Sequence, residues 1–95
     1  MSCGGWSDGE VTDEVRALLT HEKVTGAVAG QLGVEAGNVK LVPVSVKQQV
    51  VSGMNYEVTF KWGNEQPGSG QGVVVIWDCP WQGGVQSAEC TGFYE

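Results

Sequence analysis

From residue 42 to residue 62 the chain alternates apolar and polar side chains with a period of two. Val42, Val44 and Val46 are interleaved with Pro43, Ser45 and Lys47, and Met54, Tyr56, Val58, Phe60 and Trp62 with Asn55, Glu57, Thr59 and Lys61. Successive side chains of a strand point to opposite faces, so the pattern predicts two strands, each with one buried and one wet face. Between them Gln49 to Gly53 predicts the reversal, with Gly53 supplying the positive φ of a tight hairpin. Val50 and Val51 stand at that tip, where polar residues are the norm. An apolar shoulder on a hairpin tip is a surface offered to something else.

Upstream the period changes to that of a helix. Val11, Val15, Leu18 and Leu19 form one stripe, preceded by Thr12 as N-cap, with Asp13 and Glu14 in the first turn. Past Glu22 a second stripe of Val24, Val28 and Leu32 is rotated by well over a quarter turn. Gly26 and Gly30 weaken the helix there by about 1 kcal/mol each. The expectation is a helix over roughly 12–32, bent near 22–26 and ending at Gly33 as C-cap. Residues 1–10 are polar and glycine-rich and are expected to be flexible or only loosely paired. Downstream, Gly63 to Gly70 predicts a loop and Val73 to Trp77 a well-buried strand. Asp78 to Gly84 then predicts a second turn and Val85 to Tyr94 a last strand. The order implies one α+β domain over 1–95, a helix laid across one face of a four- to five-stranded antiparallel sheet.

Charge narrows the partners. Eleven acidic residues oppose five basic ones, a net charge of −6 over 95 residues. That balance argues against nucleic acid and anionic membrane surfaces, which attract basic patches. The bland use of most carboxylates is a solvated surface. The start of the chain has neither a basic segment nor an apolar run, and no stretch approaches the ~18 apolar residues of a membrane span. Three cysteines do not suggest a secreted disulfide framework. With the second hairpin turning near Gln82, Cys79 should face about Val85 and Cys90 about Val74, too far apart to bridge. The expectation is free thiols in a cytoplasmic protein.

Little in the chain resembles catalytic machinery. His21 on the predicted helix has no orienting partner, Cys3 lies in the tail, and no metal-binding spacing or phosphate-cradling glycine loop occurs. Neither an enzyme nor a cofactor is expected.

The hairpin tip carries a more specific pattern. Gln49-Val50-Val51-Ser52-Gly53 fits the Gln-x-Val-x-Gly signature of the cystatin superfamily, followed by a suitable Asn55-Tyr56. Cys3-Gly4-Gly5 resembles the glycine-bearing N-terminal trunk of the stefins, and Pro80-Trp81-Gln82-Gly83 the Pro-Trp hairpin of the secreted cystatins. The chain therefore resembles a stefin-like cystatin across nearly its whole length, though it mixes a stefin-like start with a secreted-type second turn. It also ends at Glu95, short of the longer C-terminal segment of many stefins.

The resemblance implies a reversible, tight, non-covalent inhibitor of papain-like, cathepsin-type cysteine proteases. Its contact residues would be Cys3, Gly4 and Gly5, then Gln49, Val50, Val51, Ser52 and Gly53, then Pro80 and Trp81. Gly4 would let the backbone lie close to a partner, and a side chain placed at Gly53 would project into the partner's cleft. Trp81 would be the exposed anchor, whereas Trp6, Trp62 and Trp77 would pack internally. A monomer is expected, with a dimer formed by exchange of strands as the alternative. The competing reading is a non-inhibitory interaction domain on the same fold, because a fold alone does not fix function.

Overall fold

The computed structural model describes residues 5–33, 35, 37, 39–64 and 69–94. Strands β1 (Ser7–Gly9), β2 (Val39–Val51), β3 (Gly53–Asn64), β4 (Ser69–Cys79) and β5 (Gly84–Tyr94) form a five-stranded antiparallel sheet in that order. Helices α1 (Asp13–Leu18) and α2 (Glu22–Leu32) separate β1 from β2 and pack on one face. The α+β arrangement is the one the periodicities predict. At about 3.3 Å per residue, β2 alone accounts for most of the molecule's 46 Å length.

Burial follows the alternation on β3. On β4 the run Val73–Trp77, expected to be well buried throughout, sends only Val74 and Ile76 into the core and leaves Val73, Val75 and Trp77 half-buried. Tyr56, Val58 and Phe60 face the helices from β3, and Val74 and Ile76 from β4, beside Val24, Val28 and Leu19. Each fully buried Val, Leu, Ile or Phe contributes about 1.5–3 kcal/mol, so this layer dominates stability. Phe60 and Phe93 meet edge to face with centroids 6.5 Å apart, and Trp62 meets Phe93 at 6.4 Å. Gly72 makes room for this cluster, since a Cβ there would fall 2.7 Å from the tip of the Phe60 ring.

On β2 the alternation misleads. The register slips between Pro43 and Ser45, so that Val44 is bulged out of the ladder. Val39 and Leu41 face the core before the slip and Val46 after it, while Val42 and Val44 are exposed. The predicted buried set Val42, Val44 and Val46 is thereby reduced to Val46. β1 covers only Val46 to Gln48, which leaves the earlier half of β2 as an edge. Pro43 and the bulge sit on that edge, and both discourage a further strand from pairing there.

The helix breaks earlier than its glycines suggest. Thr20 and His21 close the end of α1 with bonds from their N–H groups to the carbonyls of Ala17 (3.0 Å) and Leu18 (3.1 Å). His21 then caps α2, its Nδ1 accepting from the N–H of Lys23 at 3.1 Å. The joint at 19–21 turns the second stripe onto the sheet and resolves the phase difference between the two. Gly26 and Gly30 lie within an unbroken α2. Thr12 caps α1 and Gly33 ends α2 in the left-handed region, both as expected. Lys23 Nζ donates to the Val85 carbonyl at 3.4 Å, tying the start of α2 to β5.

Replacing His21 by Ala should cost about 1 kcal/mol in a urea unfolding experiment, whereas His21→Asn, which keeps an N-cap acceptor, should cost far less. Equal losses would mean that His21 does not act as the cap.

Candidate functional site

The antiparallel register brings the ends of three segments together. β2 and β3 pair out to Val51 opposite Gly53, leaving Ser52 alone at the apex. The reversal is thus tighter than the predicted five residues. Because Met54 pairs with Asp78, the turn after β4 lies beside this apex. β1 pairs Ser7 with Gln48, so Gly5 and Trp6 continue toward the same tip. The Ser7 hydroxyl reinforces that pairing by donating to the Gln48 carbonyl at 3.3 Å. Residues 7–9, expected to be flexible or only loosely paired, form a short edge strand. Gly5 is exposed at its start, while Cys3 and Gly4 lie outside the described residues.

The turn after β4 is a 3-10 turn, Pro80–Gln82, ended by Gly83 at φ 99°. Gln86 Nε2 donates to the carbonyls of Gln82 and Gly84, both at 2.9 Å, and fixes the turn's shape. Pro80 is exposed, and Trp81 is 69% exposed, as expected of an anchor. Val50 is 65% exposed, whereas Val51 is half-buried. Gln49 is half-buried and accepts from Asn55 Nδ2 at 3.2 Å across the hairpin. Trp6 is 41% exposed, contrary to its expected internal role. Its place at the tip follows from the β1–β2 pairing, which three polar residues, Ser-Asp-Gly, scarcely signal. Val50, Trp81 and Trp6 are thus exposed apolar side chains borne by segments that end on the same side of the sheet.

Gly53 departs from expectation. Its φ is 92°, as a tight reversal requires, yet it is buried. A Cβ there would collide with the Asp78 carbonyl oxygen and lie 3.1 Å from Cys79 Cα, pointing into the second hairpin rather than away from the tip. The glycine is where the backbones of the two hairpins touch. Trp77, expected in the core, lies on the open face and donates its indole N–H to the Ser52 carbonyl at 2.8 Å.

Beneath the tips, Tyr56 is buried, near Glu14 of α1 and Asp78 of β4. Burial, and after it the negative charge of those carboxylates, pushes its hydroxyl above the ordinary value of 10.0. Burial likewise pushes the Cys90 thiol above 9.0. Cys79 and Cys90 are both free and buried. Cys90 faces Val74 as expected, and Cys79 faces Gly84, one residue from its expected partner.

Two wider grooves lie at the far end of the sheet. One, of about 650 Å³, includes Lys40, Val42, Lys61 and Gln71, and the other, of about 570 Å³, includes Leu19, Val39 and Leu41. Among the described residues no cluster of His, Cys, Asp or Glu is placed to hold a metal ion, and no helix is long and apolar enough to cross a membrane. Comparison with family models, with curated proteins and with solved structures gives no match.

Gly53→Ala and Gly83→Ala separate two costs. Both impose a side chain on a positive φ, worth roughly 1–3 kcal/mol, but only position 53 adds a backbone collision, since nothing lies within 4 Å of a Cβ at 83. Urea melts should therefore show the larger loss for Gly53→Ala.

Alkali should weaken the fold through Tyr56 and Cys90. Their folded-state pKa values are raised, so the stability they contribute is intact below the unfolded values and is lost as pH climbs above about 9–10. Tyr56→Phe should flatten the fall above pH 10, and an unchanged slope would assign it to other groups.

Proposed function

We propose that this chain is a reversible, tight, non-covalent inhibitor of papain-like cysteine proteases, built on a cystatin-like fold. The observation that carries the reading is the convergence of Gln49–Gly53, Pro80–Trp81 and the β1 segment at one end of the sheet. The two hairpins bear two of the resemblances in the sequence, and β1 follows directly on the third, Cys3–Gly5, of which only Gly5 is described. They share one edge through register rather than through nearness along the chain.

The chemistry of the edge suits a cleft. Val50 is stiff about χ1 and Trp81 is a large flat group, so both bury apolar area with little rotamer freedom to lose. The tail would fill the non-primed side of the protease cleft and the two hairpins the primed side. Such a plug covers the catalytic cysteine while presenting it with no peptide bond to cleave, so inhibition requires no covalent step. Trp6 joins the contact set as a second aromatic, between the tail and the first hairpin. The reading carries with it a cytoplasmic setting in which Cys79 and Cys90 stay reduced.

Titration of papain should give loss of activity with one-to-one stoichiometry, while a trypsin-like enzyme stays active. Trp81→Ala should weaken inhibition by about 2 kcal/mol, roughly thirtyfold, with the melting temperature unchanged because the side chain is solvent-exposed. Papain left fully active by the wild-type chain would instead favour an interaction domain without inhibitory activity.

A further inference from the structure

We infer that Trp77 is a positioning residue that holds the first hairpin tip in its binding conformation, a role that rests on the inhibitory reading above. Ser52 is the single residue outside the β2–β3 ladder at the apex, since the pairing ends at Val51 opposite Gly53. An apex of this kind is the part of a hairpin most free to move. Its carbonyl accepts the indole N–H of Trp77 at 2.8 Å, at the short end of the N–H···O range. The indole nitrogen is a donor only, and the side chain has two torsions, so the bond orders few degrees of freedom.

The neighbouring residue completes the hold. Asp78, next along β4, presents its carbonyl to Gly53, where a Cβ finds no room. Consecutive residues of β4 thus engage consecutive residues of the tip, Trp77 through Ser52 and Asp78 through Gly53. Trp77 pairs with Asn55 on β3 and Ser87 on β5, which anchors it in the middle of the sheet. Val51, Ser52, Asn55 and Trp77 line a groove of about 370 Å³ on the open face, on the side of the tip opposite the core. The tip is carried by β4 as well as by its own strands.

A partner that binds only the held conformation gains apparent affinity in proportion to the fraction of molecules already in it. Removing the indole donor should lower that fraction, and the loss should appear in the association rate. The test compares wild type, Trp77→Phe and Val28→Ala, the last lowering stability from the buried face of α2. For each, papain association and dissociation rates, the melting temperature and amide hydrogen exchange from Val51 to Met54 are measured. Trp77→Phe should weaken papain binding on the order of tenfold through slower association, and should speed exchange at the tip amides. Val28→Ala should lower the melting temperature at least as far, with neither effect.

Trp77→Phe binding as tightly as wild type, or Val28→Ala weakening binding equally, overturns the inference. If the wild-type chain does not inhibit papain, the functional reading fails. Hydrogen exchange then still decides whether Trp77 holds the tip, and unchanged exchange in Trp77→Phe refutes that as well.

Discussion

The register between β3 and β4 is the constraint on which the molecule depends. Tyr56, Val58 and Phe60 on one strand and Val74 and Ile76 on the other must face the helices together. A slip of one residue would turn a strand's whole apolar set toward water, at a cost of several buried side chains of about 1.5–3 kcal/mol each. The same register sets Met54 beside Asp78, and so sets the two hairpin ends beside each other. Core packing and the shape of the candidate site are consequences of one alignment.

The alignment is relaxed at Val44 and, in the β4–β5 pairing, between Val73 and Val74 and between Trp77 and Asp78, the last beside the second hairpin. The slip at Val44 occurs in the half of β2 that β1 leaves uncovered. It moves Val42 and Val44 into solvent and returns Val46 to the core, so the strand enters the tip region in phase with β3. The bulge and Pro43 also blunt an edge that would otherwise accept another strand. At the site end the irregularity is accompanied by restraining contacts. Backbone contact at Gly53, the indole bond to Ser52 and the side-chain bonds of Gln86 all reduce freedom. These contacts gather at the end of the sheet that carries the candidate site.

The helical segment shows how capping decides an element's end. Gly26 and Gly30 cost helix propensity yet sit inside α2, because the face carrying Val24 and Val28 is fully buried against the sheet. Burial of that size outweighs about 1 kcal/mol per glycine. The joint at 19–21 is set instead by His21, whose ring accepts the N–H of Lys23. Histidine is not among the favoured N-caps, so the sequence pattern placed the bend a few residues too late.

Much of the molecule was legible in the chain alone, and the line between what was and what was not has a physical cause. Period-two and helical spacing, Thr12, Gly33 and the positive φ at Gly53 are local properties, settled by neighbours a few residues apart. They were sufficient for the α+β class, the two hairpins and the exposure of Val50 and Trp81. The bulge at Val44, the pairing of Ser7–Gly9, the exposure of Trp6, the bond from Trp77 to Ser52 and the direction in which a Gly53 side chain would point are not local. Each depends on which strand lies alongside and at what offset. That offset is fixed only when all the apolar faces are buried together, so the sequence determined the helical region and the four long strands, and the tertiary structure decided the edge strand, the break in the helix and how the ends meet.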